Sequence, residues 1–319
     1  MLRWMLVAVM VTGAVSSAGA YDLLYSGDVT ATHDAGTFGI EGGYLHLSSD
    51  QWFREGKLTN GGVMIVDGLG YEDEDAAYTG TFFPLGVRYS PLSVVELGAT
   101  GVFLMETMSD FDDEFGVINN PLPDFESVGV GDIWLWAKYN FSPEPMLTIR
   151  VGCKFPTGED RPDRDELPTG GGQVDIDGAI MFGVPAGPGW VDAAIGYRLR
   201  TRRAADTRDL SSWTFGTREF KPGNEVHFFA GYTQLLGEAF NIRLGADGSF
   251  GSDIEVGGSG GTEPAEVVLD SGASILSFNP GIDYLLGNDV WIGADLHYPV
   301  MGTNTNAVKG FGLSIGWRM

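Results

Sequence analysis

The sequence predicts an all-β protein, a transmembrane antiparallel β-barrel of about twelve strands. Three observations predict it. Apolar and polar residues alternate with period two in one segment after another. The connections between those segments are alternately short and long. The chain also ends on a strongly alternating strand, with Phe311, Leu313, Ile315, Trp317 and Met319 set against Gly312, Ser314, Gly316 and Arg318.

Taken in chain order, residues 1–20 read as an export signal and residues 21–319 as the barrel. Arg3 supplies the positive start, Leu6 to Val11 a short apolar core, and Ala18-Gly19-Ala20 a small-residue cleavage site. The apolar run is much shorter than the roughly 20 residues that a spanning helix needs. The first strand candidates are Phe38 to Leu47, Thr79 to Tyr89 and Ser93 to Met105. Nine more follow, with apolar faces such as Ile133, Leu135, Ala137, Tyr139 and Phe141, or Val191, Ala193, Ile195, Tyr197 and Leu199. Each is near the roughly 9–11 residues of a tilted spanning strand.

Short turns fall at Ser90-Pro91, Ser142 to Pro145, Pro185 to Gly189, Gly237-Glu238 and Gly287-Asn288. Long polar connections alternate with them, at about residues 48–76, 106–127, 157–171, 203–221 and 251–270. An even strand count with both ends on one side lets the wall close without an edge. The triplet Asn279-Pro280-Gly281 predicts a bulge, because Pro cannot donate to the ladder.

Composition agrees. The chain has 48 Gly, 19% charged residues, a net charge of −24 and a mean hydropathy of +0.00. A barrel averages an apolar outer band with a polar lumen and polar loops, so its mean hydropathy falls near neutral. Acidic residues crowd the long connections, as at Glu72 to Asp75, Asp110 to Glu114 and Glu159 to Glu166. They read as a solvated, mutually repelling surface, or as oxygen ligands for divalent cations. The acidic balance argues against nucleic acid as a partner. The single Cys153 forms no internal disulfide and reads as a small apolar residue. No cofactor and no metal site is expected; the four His are far apart in sequence.

If the apolar face of each strand meets lipid, the other face lines the lumen. That face carries Asp132, Trp134, Trp136 and Lys138, then Arg150 and Lys154, Asp175 and Asp177, and Asp192, Arg198, Arg200 and Arg202. It continues with Glu225 and His227, Arg243 and Asp247, Asp283, and Asp295 and His297. A basic residue facing lipid at the midplane costs about 2–4 kcal/mol, which places this mixed-charge face inside. The expected solute path is Asp132, Trp134, Trp136, Lys138, Arg150, Lys154, Asp175, Asp177, Arg198, Arg200, Arg243 and Asp247. Two readings stand. Either these charges pair and fill a narrow barrel, or they line a polar conduit. Twelve strands make a backbone cylinder roughly 24 Å across, with ~10 Å left between side chains. Within it the two indoles would act as a constriction and stacking platform, or as packing.

The middle of the chain carries a recognisable order of motifs. Gly129-Val130-Gly131-Asp132 precedes Lys138-Tyr139, then Lys154-Phe155-Pro156-Thr157-Gly158-Glu159-Asp160, then Gly171-Gly172-Gln173-Val174-Asp175. This order resembles a family of bacterial outer-membrane transporters named for the meta-pathway of phenol degradation, over about residues 125–319. The resemblance implies an outer-membrane channel or transporter of a Gram-negative bacterium that takes up small, aromatic or hydrophobic solutes passively. Its partners would be outer-membrane lipid, the solute, and the barrel-assembly machinery through the C-terminal strand. A lipid hydrolase is the alternative from another class, and a structural or adhesion barrel with acidic loops a third. His46-Leu47-Ser48 places a His and a Ser on one strand face, but Ser49 and Asp50 stand where such hydrolases carry Asn and Gly. No catalytic residue is expected.

Overall fold

A computed structural model describes residues 32–54, 57–60, 77–109, 125–159, 169–208, 215–237, 239–256, 266–268, 272–287 and 289–319. The expected signal at residues 1–20, most of the acidic connections and the turn residues Glu238 and Asn288 lie outside them. Period-two alternation produces strands wherever it was read. They are β1 (Phe38–Ser49), β2 (Ala77–Leu92), β3 (Val95–Ser109), β4 in two pieces (Phe125–Val130 and Ile133–Pro143), β5 (Met146–Phe155) and β6 (Asp175–Ala186). Then come β7 (Gly189–Arg200), β8 (Glu225–Leu236), β9 (Phe240–Gly251), β10 (Ser274–Leu286), β11 (Val290–Thr303) and β12 (Lys309–Arg318).

Each of these strands pairs antiparallel with its chain neighbours, and β1 pairs with β12 from Gly39↔Arg318 to Ser48↔Lys309. Among the described residues the result is a closed wall of twelve strands. Closure satisfies the backbone of both terminal strands and leaves no edge. Tight turns join the strands at one end, where Gly187, Gly237 and Gly287 hold φ of +60°, +69° and +74°, a region that favours glycine. This turn end also carries Phe38 and Met319, whose backbones bond to each other.

The long connections leave from the other, loop end. Two small sheets that the alternation did not foretell sit there. One joins Gln51–Arg54, Lys57–Asn60 and Thr305–Asn306, and the other Arg203–Arg208, Phe215–Lys221, Ile254–Val256 and Glu266–Val268.

The outer surface is apolar along every strand, with residues such as Leu85, Leu135, Val151, Ile180, Leu244 and Ile315 exposed. Near the turn end it gains an aromatic girdle. Tyr139 and Phe141 meet edge to face with centroids 4.6 Å apart, Phe240 and Tyr284 lie 4.9 Å apart, and Tyr89 and Trp317 are exposed. An apolar band bounded by aromatic rings is the surface that a bilayer demands. Cys153 shares the outward parity of Val151 and Phe155.

Among the irregularities of the wall, two bear on the sequence reading. Val130 stands opposite Phe103 and Trp134 opposite Thr100, so β4 carries one extra residue at Gly131–Ile133. This bulge reverses the parity of β4, because Ser127 points inward before it and Trp134 after it. The bulge expected at Asn279-Pro280-Gly281 is displaced. The register shift between β10 and β11 falls at Leu276/Ser277 instead. At Asn279 and Pro280 the β10–β11 ladder is interrupted, resuming at Gly281↔Asp295, while Pro280 still stands opposite Leu244 on β9. Having no N–H, Pro280 breaks the ladder on one side without adding a residue.

Candidate solute path

The inward face of β3–β8 is a chain of ion pairs. Each strand places one or more charges on its inward face, and the register sets charges of opposite sign side by side. Arg150 Nη2 donates to Asp177 Oδ1 at 3.1 Å across the β5–β6 pair. Asp177 also lies 4.0 Å from Arg198 Nε and 3.5 Å from His227 Nε2. Glu225 receives Arg198 Nη1 at 3.5 Å and Arg200 Nη2 at 2.8 Å. Lys154 Nζ lies 3.1 Å from both Asp132 and Asp175. Toward the turn end, Lys138 Nζ meets Glu96 at 3.2 Å, and His33 from the segment before β1 approaches the same carboxylate at 3.6 Å. These groups are buried: the Arg198 and Asp177 side chains are each 1% exposed. Charges so deeply withdrawn from water persist only when paired and hydrogen-bonded.

A second cluster stands on β9–β11. Arg243 pairs with Asp283 at 2.9 Å and with Asp295 at 3.6 Å. Asp295 keeps 22% of its side chain exposed, so this side of the interior is the wetter one. Asp247 accepts a hydrogen bond from Asn279 Nδ2.

The two indoles behave differently although they share a strand face. Trp134 is packed: its cross-strand neighbours are Thr100 and Lys154, it is clustered with Met181, Ala194 and Phe229, and the Arg198 guanidinium lies 5.1 Å from its centroid. Trp136 stands between two glycines, Gly98 on β3 and Gly152 on β5, and a methyl at Gly98 would overlap its ring. Its indole lies against the wall where Gly98 has no side chain, with Lys138 Nζ 5.2 Å from its centroid.

The same device recurs around the barrel. Trp291 lies over Gly316, His227 over Gly196, Asp295 over Gly312, Arg88 over Gly39 and Glu41 over Gly86, each pair directly opposite in register. A glycine opposite a large residue lets that residue lie flat instead of projecting into the lumen. Arg88 also covers the Trp291 ring at 5.3 Å.

Of the residues expected along the path, Asp132, Lys154 and Asp175 form one ion-paired group, and Arg150, Asp177, Arg198 and Arg200 join through Glu225 into a second, with Trp134 beside Arg198. Lys138 with Trp136, Arg243, and Asp247 stand apart from both groups. Arg202 leaves the expected inward row. It lies past the end of β7, half-exposed, with Nη2 3.1 Å from Glu255. Glu255 also accepts from Lys221 at 2.7 Å, and these two hydrogen bonds hold its carboxyl below the ordinary range.

Several interior residues escaped the sequence reading. Glu96 and Glu106 point inward from β3, and Glu106 accepts a 2.7 Å hydrogen bond from Tyr78 among buried Leu104, Met108 and Phe82. Parity along β3 would have found both. His46 and Ser48 point outward; His46 Nδ1 lies 3.2 Å from Thr81 Oγ1. Among the described residues no group of three or more His, Cys, Asp or Glu is arranged to hold a metal ion.

Comparison with known proteins adds family and fold. The model of the MetA-pathway of phenol degradation family matches residues 77–317. The COG4313 outer membrane channel from Pseudomonas putida F1 superposes with a TM-score of 0.68 at 15% identity, over 92% of this chain and 98% of that one. The translocator domain of the autotransporter NalP from Neisseria meningitidis follows at 0.50 and 12%, over 98% and 99%. No curated protein matches the sequence. At such identities the likeness concerns the fold, an outer-membrane β-barrel.

Proposed function

Because the chain belongs to the MetA-pathway of phenol degradation family, we propose that it is a passive channel for small, uncharged aromatic or hydrophobic solutes. Its place would be the outer membrane of a Gram-negative bacterium, with the turn end in the periplasm. The observation that carries this reading is the state of the interior cations. Lys138, Arg150, Lys154, Arg198, Arg200 and Arg243 each lie within 4.0 Å of a carboxylate. At any of these six an anionic solute would have to displace a carboxylate, and breaking a buried pair costs about 3–5 kcal/mol. A neutral solute meets no such barrier, and seated rings such as Trp136 offer it a π face. The COG4313 protein, whose barrel superposes best of the two compared above, is itself described as a channel.

Residues 1–20 are then a cleaved export signal and 21–319 the mature barrel. The outward row Phe311, Leu313, Ile315, Trp317 on β12 is the surface offered to the assembly machinery. A lipid hydrolase is less favoured, since the His46 imidazole is engaged across the strands by Thr81 Oγ1, 3.2 Å from Nδ1. Liposome swelling with a matched panel tests the reading. Neutral phenols should enter several-fold faster than benzoate-like anions of the same size. Absence of swelling with every solute, or phospholipid hydrolysis that disappears in Ser48→Ala, would overturn it.

A further inference from the structure

The three motifs of residues 129–132, 154–160 and 171–175 are far apart in sequence and converge on one carboxylate. The β4 bulge at Gly131–Ile133 puts Asp132 beside the connection that leaves β5 and returns to β6. Asp132 Oδ1 accepts the Gly158 N–H at 3.1 Å, and Oδ2 accepts the Gly171 N–H at 2.8 Å. The same Oδ2 lies 3.1 Å from Lys154 Nζ. One side chain therefore ties the outgoing limb (156–159) and the returning limb (169–173) of that connection to the barrel wall.

Two threonines complete the tie. Thr157 Oγ1 donates to Gly131 O at 3.1 Å, and Thr169 Oγ1 donates to Val130 O at 3.1 Å while accepting the Glu159 N–H at 2.9 Å. Gly170 N donates to Glu159 O at 3.0 Å, which joins limb to limb. Glycine is required at the contact, because a methyl on Gly158 would lie 2.7 Å from Gly170 Cα, and a methyl on Gly170 2.6 Å from Asp132 Oδ1. The limbs lie on the lumen side of the wall. A methyl on Gly131 would meet Val102 and Leu104, which point inward, as well as Thr169 O.

We propose that Asp132 is a positioning residue that sets the width of the passage, by holding both limbs of the 156–173 connection inward at the loop end. It does so without touching the solute, since both its carboxylate oxygens are engaged by the chain itself. Carboxylate and not amide is needed. Three donors converge on Asp132, and the Nδ2 of an asparagine would present a fourth donor to them. Lys154 carries the tie onward to Asp175, so the clamp is anchored on β6 as well as on β4 and β5. The proposal rests on the channel reading for its functional half and on hydrogen bonding alone for its structural half.

The test uses Asp132→Asn in the full-length barrel, with heat-modifiable migration as the check on folding. Amide exchange in peptides covering 156–159 and 169–173 should accelerate about ten- to hundred-fold, the loss expected for charge-assisted hydrogen bonds. Conductance per folded channel should rise, and swelling rates for larger and smaller neutral solutes should converge. Unchanged exchange would overturn the clamp. Faster exchange with wild-type conductance and size discrimination would overturn its role in setting the passage. Thr169→Val, which removes one donor and one acceptor at the edge of the clamp, is the milder variant should Asp132→Asn fail to fold. A wild-type barrel that conducts nothing refutes the channel reading, while the exchange arm still decides the clamp.

Discussion

The ion-paired positions on the interior wall of β4–β8 and the glycine-seated positions found all around the barrel handle bulky lumen residues in opposite ways. On β4–β8 a charge is neutralised by a partner one strand away, as in Arg150–Asp177 and Arg200–Glu225. The side chains fill space together and are nearly withdrawn from water. At the glycine-seated positions a large side chain faces a residue with no side chain at all, as in Trp291 over Gly316 or Trp136 over Gly98. It lies flat and stays partly exposed. Trp134 and Trp136 condense the contrast into one strand, since the first is held by Arg198, Met181 and Phe229 and the second lies on the bare backbone of Gly98 with Lys138 beside it. On the proposed channel reading, the two arrangements divide the work: paired charges brace one wall, and glycine seats keep bulky residues out of what remains of the lumen.

The largest expected effect comes from breaking the braced wall. Asp177→Ala removes the carboxylate shared by Arg150, Arg198 and His227 and leaves buried cations with less compensation. A loss of about 3–5 kcal/mol is expected in urea unfolding of the reconstituted barrel. A loss under 1 kcal/mol would show that the wall is not braced by its charges.

Next, the two indoles should separate. Trp134→Ala should cost about 3 kcal/mol, in the range of a buried aromatic deletion, with conductance per folded channel little changed. Trp136→Ala should cost less and raise conductance. Equal stability losses, or a conductance gain only with Trp134→Ala, would erase the distinction.

Glycine seating can be probed directly. Gly98→Val places a branched side chain where the Trp136 ring rests, so the ring must move off the wall. About 1–3 kcal/mol of overpacking cost and a reduced conductance are expected. The double variant with Trp136→Ala should recover the conductance; failure to recover it would mean that valine itself narrows the passage.

The smallest effect lies outside the membrane, at the Arg202–Glu255–Lys221 group of the loop-end sheet. Its ion pairs are substantially exposed, so Glu255→Gln should change global stability by well under 1 kcal/mol. The carboxyl is lowered in the folded state, so its contribution is fully present above the ordinary carboxylate range. It is lost as pH falls through the lowered folded value. Amide exchange around Glu255, taken relative to the intrinsic rate at each pH, should therefore rise only at strongly acidic pH and be flat from neutral down to the ordinary carboxylate range. A rise already near neutral pH would contradict the sign.

The barrel was legible because its evidence is local. Ile195, Tyr197 and Leu199 alternate with Gly196, Arg198 and Arg200 in a stretch of six residues, and lipid on one side enforces that parity whatever the neighbouring strands do. The bulge in β4 was not legible, since nothing in Gly-Val-Gly-Asp says that one residue goes unpaired until β3 is laid beside it. The expected bulge at Pro280 fell at Leu276/Ser277 for a related reason. Proline removes one donor, but the count of residues between register points depends on β11.

What the sequence by itself determined is which face of the strands from Ile133 onward meets lipid, how many strands close the wall, and which end carries the turns. These follow from period-two alternation and from glycine or proline at the turns, both readable within a dozen residues. Only the tertiary structure decided which charge neutralises which, which glycine lies under which ring, and that Asp132 holds a loop. Arg243 meets Asp283 and Asp295 from 40 and 52 residues away, and Asp132 meets Gly171 from 39. The physical reason is register: a slip of two residues between two strands keeps every side chain on its own face and exchanges every partner.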